Sequence, residues 1–151
     1  MNMRIASLLC VTILVAPSTQ AQAPLGPASD GRPTFADFEK RVGGYPYKAS
    51  PERTAAIKKG LPLLKKCMTK TEVDSLLGAP DFSQSNFGPK GPGEKWLGFG
   101  WTYYLAKRAE TTNLNDPRVE IFFDTSDRAH WIVPSHIDGS HEIGAPNEKC
   151  A

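Results

Sequence analysis

The stretch "MTKTEVDSLLGAPDFSQ", Met68–Gln84, contains a complete helix with its start and its stop. Thr69 can cap the helix, and Glu72, three residues on, can reach back to the N–H of the cap, giving the reciprocal capping box. Val73, Leu76 and Leu77 then form one apolar stripe. Gly78 can take the left-handed conformation after the last turn, and Pro80 prevents continuation. A helix of about two turns does not persist alone, so its stripe must dock on another layer.

The residues that follow supply that layer. In "KWLGFGWTYYLAK" Leu97, Phe99, Trp101, Tyr103 and Leu105 alternate with Trp96, Gly98, Gly100, Thr102 and Tyr104, the period of a strand, and the first set is expected to face the core. The lack of bulk at Gly98 and Gly100 leaves the second face open or closely approached by another backbone. "RVEIFFD" repeats the alternation, with Val119, Ile121 and Phe123 inward and Glu120, Phe122 and Asp124 outward. "TSDR" is a turn and "AHWIV" returns, with Trp131 and Val133 on one side. A further strand is expected around Phe82–Phe87. Upstream, Thr34 and Asp37 form a capping pair for a short helix whose face is Phe35, Phe38 and Val42. Ser50 and Pro51 open another, with Ile57, Leu61 and Leu64 on one face, regular to about Lys59. Helices followed by strands indicate an α+β layer: two or three short helices packed on a three- to four-stranded antiparallel meander.

The 151 residues suffice for one such domain, spanning 34–133. Ahead of it, residues 1–21 read as a secretory signal. Arg4 gives the positive region, Ile5–Ala16 is too short an apolar run to span a bilayer comfortably, and Thr19 and Ala21 are the small residues before the cut. A cut after Ala23 also meets the small-residue rule but leaves Pro24 just beyond it, so Ala21 is favoured. Cys10 follows Leu8 and Leu9 within the apolar run, which does not suit a lipidation site. The expected protein is periplasmic or secreted, with no stable membrane anchor after cleavage. Residues 22–33 are rich in Pro, Gly and Ala and read as a flexible leader. Residues 134–151 read as a polar, irregular tail.

Export decides the cysteines. Cys10 leaves with the signal, and the remaining pair, Cys67 and Cys150, is expected to form a disulfide tying the tail to the helical layer. In chain-entropy terms, a loop of this length stabilises by roughly 4–5 kcal/mol. Removal of Arg4 leaves 17 basic against 16 acidic residues. That balance argues against a nucleic-acid partner, which needs a concentrated basic face. The run Lys58, Lys59, Lys65, Lys66, Lys70 reads as a solvated helix face.

"CMTKTEVDSLLGAPD" resembles the "GMT-x-x-EV-x-x-LLG-x-P" signature of the SmpA/OmlA, or BamE-like, envelope domain, and "WTYYL" with "RVEIFFDTSDRAHWI" is similar to its later strands. The resemblance covers roughly residues 57–133. It implies two helices on an antiparallel sheet of about three strands, and a binding module in place of an enzyme. The family's best-known member is a lipoprotein accessory of outer-membrane β-barrel insertion, and the β-lactamase inhibitor protein has a similar, duplicated arrangement. This chain departs in carrying no lipid-anchor cysteine and only one copy of the unit, so neither role carries over directly. It also has Cys67 where the family has Gly, which implies an ordinary backbone angle at that position.

The capped-helix residues are accounted for by folding, so function is expected on the sheet or loops. "GPKGPGEKW", Gly88–Trp96, has glycines at phosphate-loop spacing, but Glu94 stands where Lys is needed and a strand follows in place of a helix. "HIDGSHE" offers His136, Asp138, His141 and Glu142, with His130 near, but at no rigid metal-site spacing. Ser135, His136 and Asp138 are too close in sequence for a triad assembled from separate elements. No catalytic residue, metal site or cofactor is expected. The leading expectation is a module that recognises another protein through Trp96, Thr102, Tyr104 and Phe122 on the second sheet face. Coverage of that face by the leader or tail is the competing structural expectation. The alternative function is a metal-dependent or hydrolytic role for the histidine-containing tail.

Overall fold

Thr34 and Thr69 cap their helices as their sequences dictate. The Thr69 hydroxyl accepts from the Glu72 N–H at 3.2 Å, and the Thr69 N–H donates to Glu72 Oε2 at 2.7 Å. Thr34 and Asp37 repeat the exchange at 3.2 and 2.8 Å. The computed structural model describes residues 29–88, 95–111, 113–146 and 148–150. The expected signal 1–21, residues 22–28 of the leader and most of the Gly88–Trp96 loop lie outside the described residues.

The helices are α1 (Phe35–Val42), α2 (Pro51–Gly60) and α3 (Lys70–Leu77), with a 3₁₀ turn at Leu61–Leu63. The strands are β1 (Tyr47–Lys48), β2 (Phe82–Phe87), β3 (Trp96–Tyr104), β4 (Ala106–Lys107), β5 (Arg118–Phe123), β6 (Ala129–Ser135) and β7 (Ile143–Gly144). The protein is α+β. A five-stranded antiparallel sheet has the order β2-β3-β5-β6-β7, and β1 pairs β4 in a separate ribbon. The meander thus has one strand more than expected. The addition comes from the segment read as an irregular tail, where Ile143 and Gly144 pair with Ile132 and Trp131.

α2 and α3 cover one face of the sheet. Ile57, Leu61, Leu64, Val73 and Leu77 pack there on Trp101, Tyr103, Val119, Ile121, Phe123 and Ile132, all buried. The helices approach closely because Gly60 has no side chain: a Cβ there would strike the Leu76 carbonyl and lie 2.8 Å from a Leu77 methyl. The first strand face therefore forms the core as expected, with one exception. Leu97 is 37% exposed. Register explains it, since Phe87 pairs with Trp96 and Asn86 with Gly98, leaving Leu97 as the extra residue of a bulge. Gly98 sits at φ +124°, and a Cβ there would collide with the Phe123 carbonyl.

α1 takes the other face. Phe38 is fully buried, stacked on Tyr104 at 5.6 Å and packed against Phe82 at 6.0 Å. Asp81 joins three elements from within. It is 1% exposed, meets Arg41 of α1 at 2.7 Å and Arg53 of α2 at 3.3 Å, and accepts the Tyr104 N–H at 2.7 Å. Residues 29–33, expected to be flexible leader, are also anchored. Asp30 accepts from the Trp101 indole at 2.7 Å and pairs with Lys70 at 3.0 Å, and the Pro33 carbonyl accepts from the Ser83 N–H at 2.7 Å.

The Cys67–Cys150 disulfide is formed across 83 residues. The expectation of an ordinary backbone angle at Cys67 is corrected: its φ is +69°, the left-handed region that favours glycine. That turn directs the Cys67 N–H to the Ala129 carbonyl at 2.7 Å and the Met68 carbonyl to the Ala129 N–H at 2.8 Å, so the approach to α3 runs along the start of β6. The tail is fastened further by a Lys66–Glu148 ion pair at 2.8 Å and by His130 Nδ1 against the Ala145 carbonyl at 3.2 Å.

Candidate functional site

The four residues expected to form one exposed aromatic group do not stay together. Thr102 is 4% and Tyr104 5% exposed. The expectation that they lie open is corrected: Phe38 of α1 stacks on Tyr104, and Phe35 and Tyr47 pack against the same cluster. Burial pushes the Tyr104 hydroxyl up to about 12, against the opposing effect of nearby Arg118. Trp96 departs for another reason. The bulge at Leu97 shifts the alternation, so Trp96 shares the side of Phe99 and meets its ring edge-on at 5.6 Å. Phe122 alone keeps its expected place, half-buried on the second face.

A different aromatic pair stands on that face. Phe122 is in register with Trp131 of β6, and their rings stack at 4.7 Å. Strand alternation puts Trp131 on one side with Val133, and the pairing of β5 with β6 shows that side to be the second face and brings the rings together. Phe122 also lies over Gly100 of β3, with a ring carbon 3.4 Å from where a Cβ would sit, so the missing side chain gives the ring its seat. Gln84 of β2 is exposed beyond Gly100 in the same register, and Glu120 and Val133 are half-buried beside the pair. Glu120 is held by Arg118 at 2.9 Å, and the Trp131 indole donates to Glu142 at 3.4 Å. The surface has apolar rings at its centre and polar groups at its margin. It can hold a partner by stacking and hydrogen bonding.

The histidine-containing tail forms the wall of a second feature. His136, Asp138 and His141 border a cleft of about 550 Å³ between the tail and α2. His136 sits there at φ +52°. Among the described residues, no group of three or more His, Cys, Asp or Glu side chains is placed to hold a metal ion. His130 is buried against the Ala145 carbonyl and does not border this cleft. Sequence reading isolated the tail histidines but not the cleft. Its opposite wall comes from Thr54, Lys58 and Leu61, about eighty residues earlier, and no local pattern announces that meeting.

No helix among the described residues is long and apolar enough to cross a membrane. Neither protein-family models, nor curated proteins, nor solved structures give a match to this chain.

Proposed function

We propose that this protein is an exported, soluble binding module of the bacterial cell envelope that recognises another protein through the outer face of its five-stranded sheet. The observation that carries the reading is the Phe122–Trp131 stack, two large rings half-buried on a face that α1 covers only in part. Aromatic side chains with low conformational freedom, set in a polar margin, are the usual anchors of protein interfaces. The secretory features of residues 1–21 and the similarity of Met68–Asp81 to BamE-like domains support the setting in the envelope. The partners this surface suits are proteins, in outer-membrane or envelope assembly. Nucleic acid is disfavoured by the charge balance.

Site-directed photocrosslinking tests the proposal. A photoreactive residue at exposed Gln84, beside the aromatic pair, should capture a discrete protein in the intact envelope. The same probe at Lys59, on an exposed position of α2, should not give that adduct. Equal capture from both positions, or none from Gln84, contradicts the reading.

A further inference from the structure

Thr54, Lys58 and Leu61 are spaced four and three residues apart and share one side of α2 and its 3₁₀ extension. That side does not close on the sheet entirely. It faces the tail across the cleft of about 550 Å³, a volume in the range of small-molecule sites. The interior is apolar: Leu61, Leu64 and Leu105 on one side, and Ile137 and Ile143 on the tail. The mouth is polar and its fixed charges do not cancel. Lys48 from β1 and Lys58 from α2 border it against the single carboxylate of Asp138. Both lysines are exposed and, among the described residues, neither makes an ion pair. The imidazoles of His136 and His141 and the hydroxyl of Thr54 add hydrogen-bonding groups at the same mouth.

The tail wall is fixed in place without any ligand. β7 pairs it to β6, the Ser140 hydroxyl donates to the Ile137 carbonyl at 2.6 Å, and the disulfide anchors its end. The cleft is thus a preformed concavity and not a gap between mobile segments, which reduces the ordering cost of binding.

We propose that this cleft binds a small amphiphilic carboxylate, its hydrocarbon chain lying against Leu61, Leu105 and Ile137 and its head group held by Lys48 and Lys58. The apolar interior excludes a bare inorganic anion as the fitting ligand, because such an ion leaves the hydrocarbon walls uncovered. The excess of ammonium over carboxylate at the mouth favours an acid over the corresponding alcohol. This site opens between α2 and the tail, and the tail segment that walls it also carries Glu142, the acceptor of the Trp131 indole.

Titration of the full, disulfide-bonded protein with sodium decanoate, decan-1-ol and inorganic phosphate tests the assignment, with affinity read by calorimetry and position by methyl NMR. Decanoate should bind saturably at one site and shift the methyls of Ile137, Ile143 and Leu105. The double variant K48Q/K58Q, at two exposed positions, should keep its melting temperature and bind decanoate about tenfold to a hundredfold more weakly, the effect expected for lost charge-assisted hydrogen bonds. Its affinity for decan-1-ol should change less than about threefold, within the ordinary variation of such contributions. The proposal is overturned if phosphate binds as tightly as decanoate, if decanoate does not saturate, if K48Q/K58Q binds it unchanged, or if the shifts fall instead on the methyls of Val133, beside Phe122 and Trp131.

Discussion

Replacement of Asp81 should be among the most damaging single changes in this domain, and its cost can be worked from three contacts. The carboxylate is 1% exposed and accepts the Tyr104 N–H at 2.7 Å, so Asp81→Ala leaves a buried backbone donor unsatisfied, about 1–3 kcal/mol. Arg53, 26% exposed, loses its partner in a largely desolvated setting. Arg41 is 53% exposed and re-hydrates easily, so its share is at most about 1 kcal/mol. Together these place Asp81→Ala at about 3–5 kcal/mol, the range for breaking a buried pair by removing one member. Asp81→Asn retains an oxygen for the Tyr104 N–H and should cost about half as much, and Arg41→Gln should cost about 1 kcal/mol or less. Urea unfolding followed by tryptophan fluorescence, with the disulfide intact, measures all three. For a domain of this size the Asp81→Ala loss corresponds to a fall in melting temperature of roughly 6–20 °C. A cost below about 1 kcal/mol would refute the reasoning, because it would mean that the site rehydrates. Equal costs for Asp81→Ala and Asp81→Asn would place the loss in the charge and not in the acceptor.

The remaining predictions concern the tether, the helix crossing and acid. Cys67→Gly/Cys150→Ser should unfold at higher urea than Cys67→Ser/Cys150→Ser, by about 1–2 kcal/mol, because only glycine takes the φ of +69° without strain; equal stabilities would contradict the left-handed turn. Cys150→Ser alone should cost about 2–4 kcal/mol, below the chain-entropy ceiling of about 4.5 kcal/mol for the 83-residue separation. Gly60→Ala should destabilise by about 1–3 kcal/mol, since its Cβ meets the backbone carbonyl of Leu76 and that helix must shift; a neutral or stabilising change in denaturant unfolding would show that α2 and α3 are further apart. Backbone hydrogen bonds from the caps hold the Asp37 and Glu72 carboxyls below the usual range. Burial raises Asp30, but hydrogen bonds from Trp101 and Lys70 outweigh it, and its carboxyl also lies low. The stability these groups contribute is complete above the ordinary carboxylate range and is lost as pH falls through their depressed folded values. Circular dichroism and Trp fluorescence should therefore be flat at mildly acidic pH and change below it, and loss of signal on raising the pH from neutral would have the wrong sign.

Local chemistry was legible in the sequence, and contacts between distant segments were not. Thr34 with Asp37, Ser50 with Pro51 and Thr69 with Glu72 each fix a helix start through neighbours within three residues, and all three starts stand where the residues indicated. Alternation placed β3, β5 and β6, and the pairing of Cys67 with Cys150 followed from their number and the oxidising compartment expected. Alternation assumes an unbroken strand, however, so the bulge at Leu97 turned that residue outward and carried Trp96 away from the second face. Tyr104 is buried in a cluster with Phe38 and Phe35, which lie more than sixty residues earlier and whose destination the helical period does not specify. Two further features had no local signal. Ile143–Gly144 is too short to show a strand period, and Lys107 has no sequence neighbour that announces a buried ammonium. Lys107 is 1% exposed, with its ammonium 4.6 Å from the Tyr45 ring centre and donating to the carbonyls of Ala109 and, at 2.8 Å, Glu110. Of the expected site, Phe122 kept its position; for its stacking partner Trp131 alternation gives a side shared with Val133 but not which face of the sheet that side is.

The direct test of the central claim is capture of the Gln84-crosslinked protein by the double variant F122A/W131A. The pair is half-buried on the outer face, away from the main core, so the variant should stay folded, with a melting temperature within several degrees of the parent. Loss of two aromatic anchors should weaken partner binding by about 2–4 kcal/mol, roughly thirtyfold to a thousandfold, and the adduct should disappear at native expression. Undiminished capture by a folded F122A/W131A protein would contradict recognition through this face.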